Sequence, residues 1–246
     1  CIMADLVIII PVFNEEEGID RLPSAFETYF SKTKLNVEVL LVDDGSTDSS
    51  LSKIKALCMQ HAAFRFLALS ENRGLSTALK AGIDHSNSTW VGYMDADLQT
   101  SPEDFLKLEN HMHSHDLVTG YRMGRKDNLT KKLTSSFANG FRNWLLKDGV
   151  RDSGCPLKLM RTDVAKSLPF FKGMHRFIPA LVKITGGSLI EVPIQHFPRV
   201  TGYSKFSFRN RFWGPIADTL AVRWMASRMI QYRIKNASNL NSNLGK

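Results

Sequence analysis

Apolar positions along the chain fall into two kinds of run, and the two kinds take turns. Leu6 to Val12 is unbroken and β-branched, Val37 to Val42 repeats it, and Phe64 to Leu69 and Trp90 to Met94 follow. Short continuous apolar runs are what a strand buried on both faces requires, so they predict parallel strands rather than half-exposed ones. Between them the spacing becomes helical: Ile19, Leu22, Phe26 and Phe30, then Leu51, Ile54, Leu57 and Cys58, then Leu75 to Ile83. This alternation predicts an α/β fold, a mostly parallel sheet with helices on both faces. Further on, Ser101-Pro102-Glu103-Asp104 reads as an N-cap, a proline at the first helical position and acids in the first turn. Asp116 to Thr119, Pro156 to Met160 and Ser188 to Ile194 predict additional strands, while Leu133, Phe137, Phe141 and Trp144 mark another amphipathic helix.

Each of the first four strands ends in a polar cluster: Asn14-Glu15, Asp43-Asp44, Asn72-Arg73 and Asp95-Ala96-Asp97. In an open parallel sheet ligands bind outside the carboxyl ends of the strands, so these clusters converge on one edge. An ordinary turn accounts for any one of them, but less readily for all four. If the strand carries on through the last cluster, Asp95 and Asp97 share a face and Gln99 extends the row. Two carboxylates and an amide oxygen suit a hard divalent cation, Mg²⁺ or Mn²⁺, with positions left for substrate phosphates.

Composition changes the picture in two places. Cys1, Cys58 and Cys155 are scattered and odd in number, which argues against a disulfide framework or a thiolate metal site and favours a reducing compartment. No apolar run reaches the ~18 residues that a membrane-spanning helix needs, and the first residue is Cys rather than Met, which suggests a piece of a longer chain. Charge is the second place. Residues 199–246 hold nine basic side chains against Asp218 alone, which is the entire net excess of +8. That block points to a phosphate-rich partner, whether nucleic acid, anionic lipid or a phosphorylated substrate.

Four motifs in order, Pro11-Val12-Phe13-Asn14-Glu15-Glu16, Val42-Asp43-Asp44-Gly45-Ser46-Thr47-Asp48-Ser49, Asn72-Arg73-Gly74 and Asp95-Ala96-Asp97-Leu98-Gln99, resemble glycosyltransferase family 2 of the Rossmann-like GT-A fold. Gly202-Tyr203-Ser204-Lys205 narrows the resemblance to polyprenyl-phosphate glycosyltransferases of the dolichol-phosphate mannosyltransferase type. It implies an inverting, metal-dependent enzyme that takes a sugar from a UDP- or GDP-linked donor to a polyprenyl phosphate. By the same resemblance Pro11, Asn14, Glu15, Asp43 and Asp44 border the nucleotide, and Ala96 lies beside it. Asp95, Asp97 and Gln99 would hold Mg²⁺ or Mn²⁺, and Arg122 would lie near the sugar and phosphates. Asp152 matches a carboxylate near the reaction centre, while Arg199, Ser204 and Lys205 would face the acceptor phosphate. Gly74-Leu75-Ser76 and Thr100-Ser101 stand where the family often has Gly-Leu-Gly and His-Pro, and neither change removes a ligand.

The resemblance covers residues 5 to about 210 and gives a catalytic domain over 1–208; the residue pattern beyond it predicts basic amphipathic helices over 209–235 and a polar tail over 236–246. In the second segment Phe212, Trp213, Ile216, Leu220, Trp224 and Met225 recur at helical spacing, with Asp218, Arg223, Arg228 and Arg233 breaking the apolar run. The expected partner is therefore an anionic membrane surface on the cytoplasmic face, not nucleic acid, with a helix packed on the sheet as the plain alternative. Two other functions stay open: a family 2 transferase acting on a saccharide hydroxyl, and a non-catalytic nucleotide- or membrane-binding adapter. A processive synthase is disfavoured because Leu220 precedes Arg223-Trp224 where a glutamine is needed, and no G-x-G-x-x-G follows the first strand to mark a dehydrogenase.

Overall fold

The structure is a computed structural model that describes residues 3–123, 140–198 and 213–230. Its centre is a seven-stranded sheet in the order β3-β2-β1-β4-β6-β5-β7. The strands are β1 (Leu6–Val12), β2 (Val37–Asp43), β3 (Phe64–Ala68), β4 (Trp90–Tyr93), β5 (Leu117–Met123), β6 (Lys158–Arg161) and β7 (Leu189–Gln195). All neighbours pair in parallel except β6, which runs against both β4 and β5. The sequence-predicted mostly parallel sheet is therefore present, and the one reversal lies in a strand whose direction no apolar pattern encodes.

Alternation along β1 sorts its side chains into two cores. Leu6, Ile8, Ile10 and Val12 join the cluster on one face and Val7 and Ile9 the cluster on the other, as a period of two demands. On the first face pack α1 (Leu22–Lys32), α2 (Ser50–Gln60) and α4 (Phe105–Glu109), through Phe26, Ile54 and Phe105. On the second pack α3 (Leu75–His85), α6 (Thr162–Ser167), α7 (Ile178–Ile184) and α8 (Trp213–Arg228), through Leu79, Ala165, Leu181 and Val222. α3 lies so close to β1 that a Cβ on Gly82 would stand 2.6 Å from an Ile9 methyl carbon. That contact ties the helix after the third polar cluster to the central strand. The Ser101 cap forms as expected, its hydroxyl accepting from the Glu103 amide at 3.3 Å.

Three expectations need correction. β3 is an edge strand, and Arg65, Phe66 and Ala68 are exposed, so its apolar run does not mean burial on both faces. α5, over 140–146, carries Trp144 at 73% exposed, so the aromatic at that helical spacing is no core residue; Leu133 and Phe137 lie outside the described residues. β4 stops at Tyr93, two residues short of the first carboxylate. Met94 still donates to Ile9 at 3.2 Å, but beyond it the Asp97 carboxylate accepts from the Gln99 amide at 3.2 Å and Leu98 takes φ +53. A side chain has replaced the ladder, and Asp95, Asp97 and Gln99 sit on a turn rather than along one strand face.

Candidate active site

The chain order reverses between β1 and β4, and the crevice beyond the carboxyl ends of these strands is where such a sheet binds its ligand. Asn14, Asp43 and Asp95 stand at the ends of β1, β2 and β4 around that crevice. Arg122, near the end of β5, and Asp152, in the turn before β6, reach the same edge because β5 is parallel to β4's direction and β6 opposes it.

The β1–β2 wall is laced by hydrogen bonds between loop side chains and backbone. Asn14 adopts φ +50, a conformation asparagine tolerates better than most residues. There its amide donates to Ser46 Oγ at 2.9 Å and its Oδ1 accepts from the Thr47 amide at 2.8 Å. The Glu15 amide donates to Ser50 Oγ at 2.9 Å, and Glu16 accepts from the Ser49 amide at 2.9 Å. Gly45 needs its missing side chain: at φ +68, a Cβ would press to 2.5 Å against the Glu71 backbone.

Two adjacent carboxylates in this wall divide the work. Asp44 is buried and accepts from Asn72 Nδ2, the Arg73 amide and the Gly74 amide at 2.8–2.9 Å, so it clamps the β3–α3 loop and caps α3. Asp43 is equally buried, yet only its Oδ2 is engaged, by the Ser46 amide at 3.2 Å; Oδ1 has no partner among the described residues. A buried acceptor left open at a strand's carboxyl end suits a hydroxyl or N–H donor from a ligand.

The β4–β6 wall carries charge instead. Asp95, Asp97 and Gln99 are half-buried, Pro11 likewise, while Ala96 tucks its methyl into the first core. The Tyr93 hydroxyl donates to Asp95 Oδ1 at 2.7 Å. Burial, with the Asp97 charge beside it, pushes the Asp95 carboxyl up to about 6, against the pull of Tyr93, Lys158 and Arg122. Burial and the neighbouring Asp97 charge oppose ionisation of Asp95, a cost that a divalent cation held by the two carboxylates would relieve, and Gln99 adds a neutral oxygen. Among the described residues no third acidic, His or Cys ligand joins them, which fits a hard cation that completes its shell with water and substrate phosphate.

Arg122 and Asp152 form a bidentate pair: Nε to Oδ2 at 2.7 Å, Nη2 to Oδ1 at 2.8 Å, with the Arg122 amide also donating to Oδ2 at 3.2 Å. Behind them Arg142 is 5% exposed and donates to Asp148 Oδ2 at 2.9 Å, to Ser153 Oγ and to the Val150 carbonyl at 2.7 Å. It holds the 148–153 turn, and hence Asp152, in place. Sequence reasoning missed Arg142, Tyr93 and Lys158; the last two lie within apolar stretches where a polar residue is itself the only signal, while Arg142, beside Asn143, carries none. Arg199, Ser204 and Lys205 lie outside the described residues. Just before them in sequence, the Phe197 amide donates to the Gln99 carbonyl at 2.9 Å.

A doubly covered α/β sheet with paired carboxylates at its switch point is an architecture that places a ligand at that crevice, and the GT-A folds share it. A family model for glycosyl transferase family 2 matches residues 7–168, and the chain belongs to that family. Dodecaprenyl-phosphate galacturonate synthase of Rhizobium johnstonii is 33% identical over 228 residues, covering 89% of this chain and 66% of its own length. The chain thus spans just under two thirds of that curated relative. Glucosyl-3-phosphoglycerate synthase of Mycobacterium tuberculosis, solved with Mn²⁺, UDP-glucose and phosphoglyceric acid, superposes with a TM-score of 0.66 at 14% identity, over 97% of this chain and 85% of that one. A Pyrobaculum calidifontis mannosyltransferase with GDP-mannose and Mn²⁺ gives 0.64 at 19% identity, over 94% and 66%. At such identities the two structures speak for the fold alone.

Proposed function

We propose that this chain is the catalytic part of an inverting glycosyltransferase that moves a sugar from a nucleoside-diphosphate sugar to a polyprenyl phosphate. The observation that carries the choice of acceptor is the bidentate Arg122–Asp152 pair. A hydroxyl acceptor must lose a proton as it attacks, and Asp152 is the carboxylate that the resemblance puts near that step. Here both its oxygens are held by Arg122, 15% and 13% of the two side chains being exposed. A phosphate acceptor is already anionic and needs no such base. The polyprenyl-phosphate relative supports the same choice.

In this reading Asp95, Asp97 and Gln99 would hold Mg²⁺ or Mn²⁺, which would supply Lewis-acid neutralisation of the leaving diphosphate. Asp43 Oδ1 receives a donor from the base or ribose, and Asn14, Glu15 and Pro11 line that pocket. Arg122, held flat by Asp152, presents a fixed positive charge where phosphate oxygens gather. Arg199, Ser204 and Lys205 receive the acceptor phosphate. Attack in line with the departing diphosphate inverts the anomeric carbon. Screening UDP- and GDP-sugars for nucleoside diphosphate release, with and without polyprenyl phosphate, tests this: release should depend on the lipid phosphate, on Mn²⁺ or Mg²⁺, and on one donor. Equal turnover with a saccharide hydroxyl, or none with any donor, overturns it in favour of the hydroxyl transferase or the adapter.

We place the catalytic domain at 1–208 and a membrane-surface segment at 209–235, ahead of the polar tail at 236–246. Among the described residues no helix is long and apolar enough to cross a membrane. α8 buries Thr219 and Val222 on the domain, while Leu220 and Trp224 are 53% and 65% exposed beside Arg223 and Arg228. Its outward aromatic and basic positions are those an anionic bilayer surface would engage at the cytoplasmic face, with each cation adding about 1 kcal/mol, screened by salt. The protein should co-sediment with anionic vesicles at low salt and be released as salt rises; no binding at low salt removes this placement.

A further inference from the structure

Beneath the charged wall lies a cation with no part in the reading so far. Lys158 opens β6, is 2% exposed, and stands opposite Tyr93 in the β4–β6 register. Its ammonium lies 5.8 Å from the centre of the Tyr93 ring and donates to the carbonyl of Ser153 at 3.3 Å and to that of Cys155. Those carbonyls belong to the turn that follows Asp152. The Tyr93 hydroxyl is the group that aims Asp95. One buried side chain therefore touches both the turn behind the Arg122–Asp152 pair and the ring behind the metal carboxylate. Burial pulls the amine's pKa down, a cost that an apolar side chain of similar volume would not carry. Packing alone gives no reason for an ammonium here.

We propose that Lys158 is a positioning residue that holds the Asp95 carboxylate, through Tyr93, in fixed relation to the Asp152–Arg122 pair. The metal-holding and reaction-centre parts of the site then keep one geometry. This rests on the reading of Asp95 as a metal ligand. Groups that orient metal ligands typically change affinity by about 10–100-fold when removed, which sets the size of the test.

The experiment titrates manganese(II) alone into the full chain and follows the free ion by EPR, with acceptor KM measured separately. Tyr93→Phe removes only the hydroxyl, and should raise the manganese dissociation constant about tenfold while leaving acceptor KM unchanged. Lys158→Met should raise both. Lys158→Arg keeps the charge and donors but in a larger planar head, so recovery of both should be only partial. A folded Lys158→Met with wild-type manganese affinity and acceptor KM overturns the proposal. Should Lys158→Met fail to fold, Tyr93→Phe decides in its place: unchanged manganese affinity there removes the link to Asp95 and the proposal with it. Wild-type protein that binds no manganese would instead defeat the metal reading itself.

Discussion

The wall built on β1 and β2 and the wall built on β4, β5 and β6 meet at one sheet edge but are held by different forces. The first is a mesh of hydrogen bonds from Asn14, Glu15, Glu16, Ser46 and Ser50, each worth about 1 kcal/mol net, with Asp44 fully engaged inside it. The second relies on buried ion pairs, Arg122–Asp152 and Arg142–Asp148, and on an Asp95 carboxyl whose pKa is raised by burial and by the Asp97 charge beside it. Side-chain hydrogen bonds to backbone amides hold a shape whether or not a ligand is present. Concentrated charge holds a shape at a desolvation cost and waits for a counter-charge. The donor's base and ribose suit the first kind of wall, its diphosphate and metal the second.

Breaking the charged wall at its ligands should give the largest effect. Asp97→Asn or Asp95→Asn is expected to lower nucleoside diphosphate release by about 10²–10³-fold, the scale of losing one electrostatic stabiliser, with the melting temperature kept because neither residue is a core contact. EDTA should do the same to wild type. Near-normal turnover in Asp97→Asn would remove that residue from the metal set.

Breaking the same wall behind its ligands should unfold rather than inactivate. Arg142→Ala leaves Asp148 buried, at 2% exposed, without its guanidinium, and should cost about 3–5 kcal/mol in a urea titration. A loss under about 1 kcal/mol would place Arg142 among ordinary surface pairs.

The hydrogen-bonded wall separates two neighbouring carboxylates. Asp43→Asn keeps an oxygen for Ser46 but puts an NH₂ where the open acceptor stands, so nucleoside diphosphate affinity by calorimetry should fall about tenfold, matching ~1.5 kcal/mol for a charged hydrogen bond. Stability should barely move. Asp44→Asn should do the reverse, weakening the α3 cap first; equal effects of the two would erase the distinction.

A further effect is graded with pH. His175, with Nδ1 2.9 Å from Ser76 Oγ, is held down to about 3 by burial first, then by Arg176 and Lys158. Its folded pKa is below the unfolded value of about 6.5, so the folded state stays neutral where the unfolded chain takes a proton. Stability is full above pH 6.5 and falls by roughly 1.4 kcal/mol per pH unit as the pH drops towards 3. Urea midpoints should show this slope, and His175→Asn should flatten it.

Much of the sheet was legible because burial on both faces leaves a local mark: Leu6 to Val12 could hardly be anything but a central strand, and Val7 and Ile9 sort from Leu6 and Ile8 by period alone. The clusters at the strand ends were legible too, since parallel topology sends every carboxyl end to one edge. Tertiary structure alone decided which of two adjacent acids, Asp43 or Asp44, keeps an open oxygen, since that depends on where residues 72–74 return in space. It alone turned the chain after Tyr93, so that Asp95, Asp97 and Gln99 lie on a side-chain-capped turn rather than along a strand. And it alone reversed β6, setting Lys158 opposite Tyr93 and the 148–153 turn beside Arg122. Local pattern records whether a side chain is buried; what it is buried against is set by contacts between residues dozens of positions apart, which no single stretch of sequence contains.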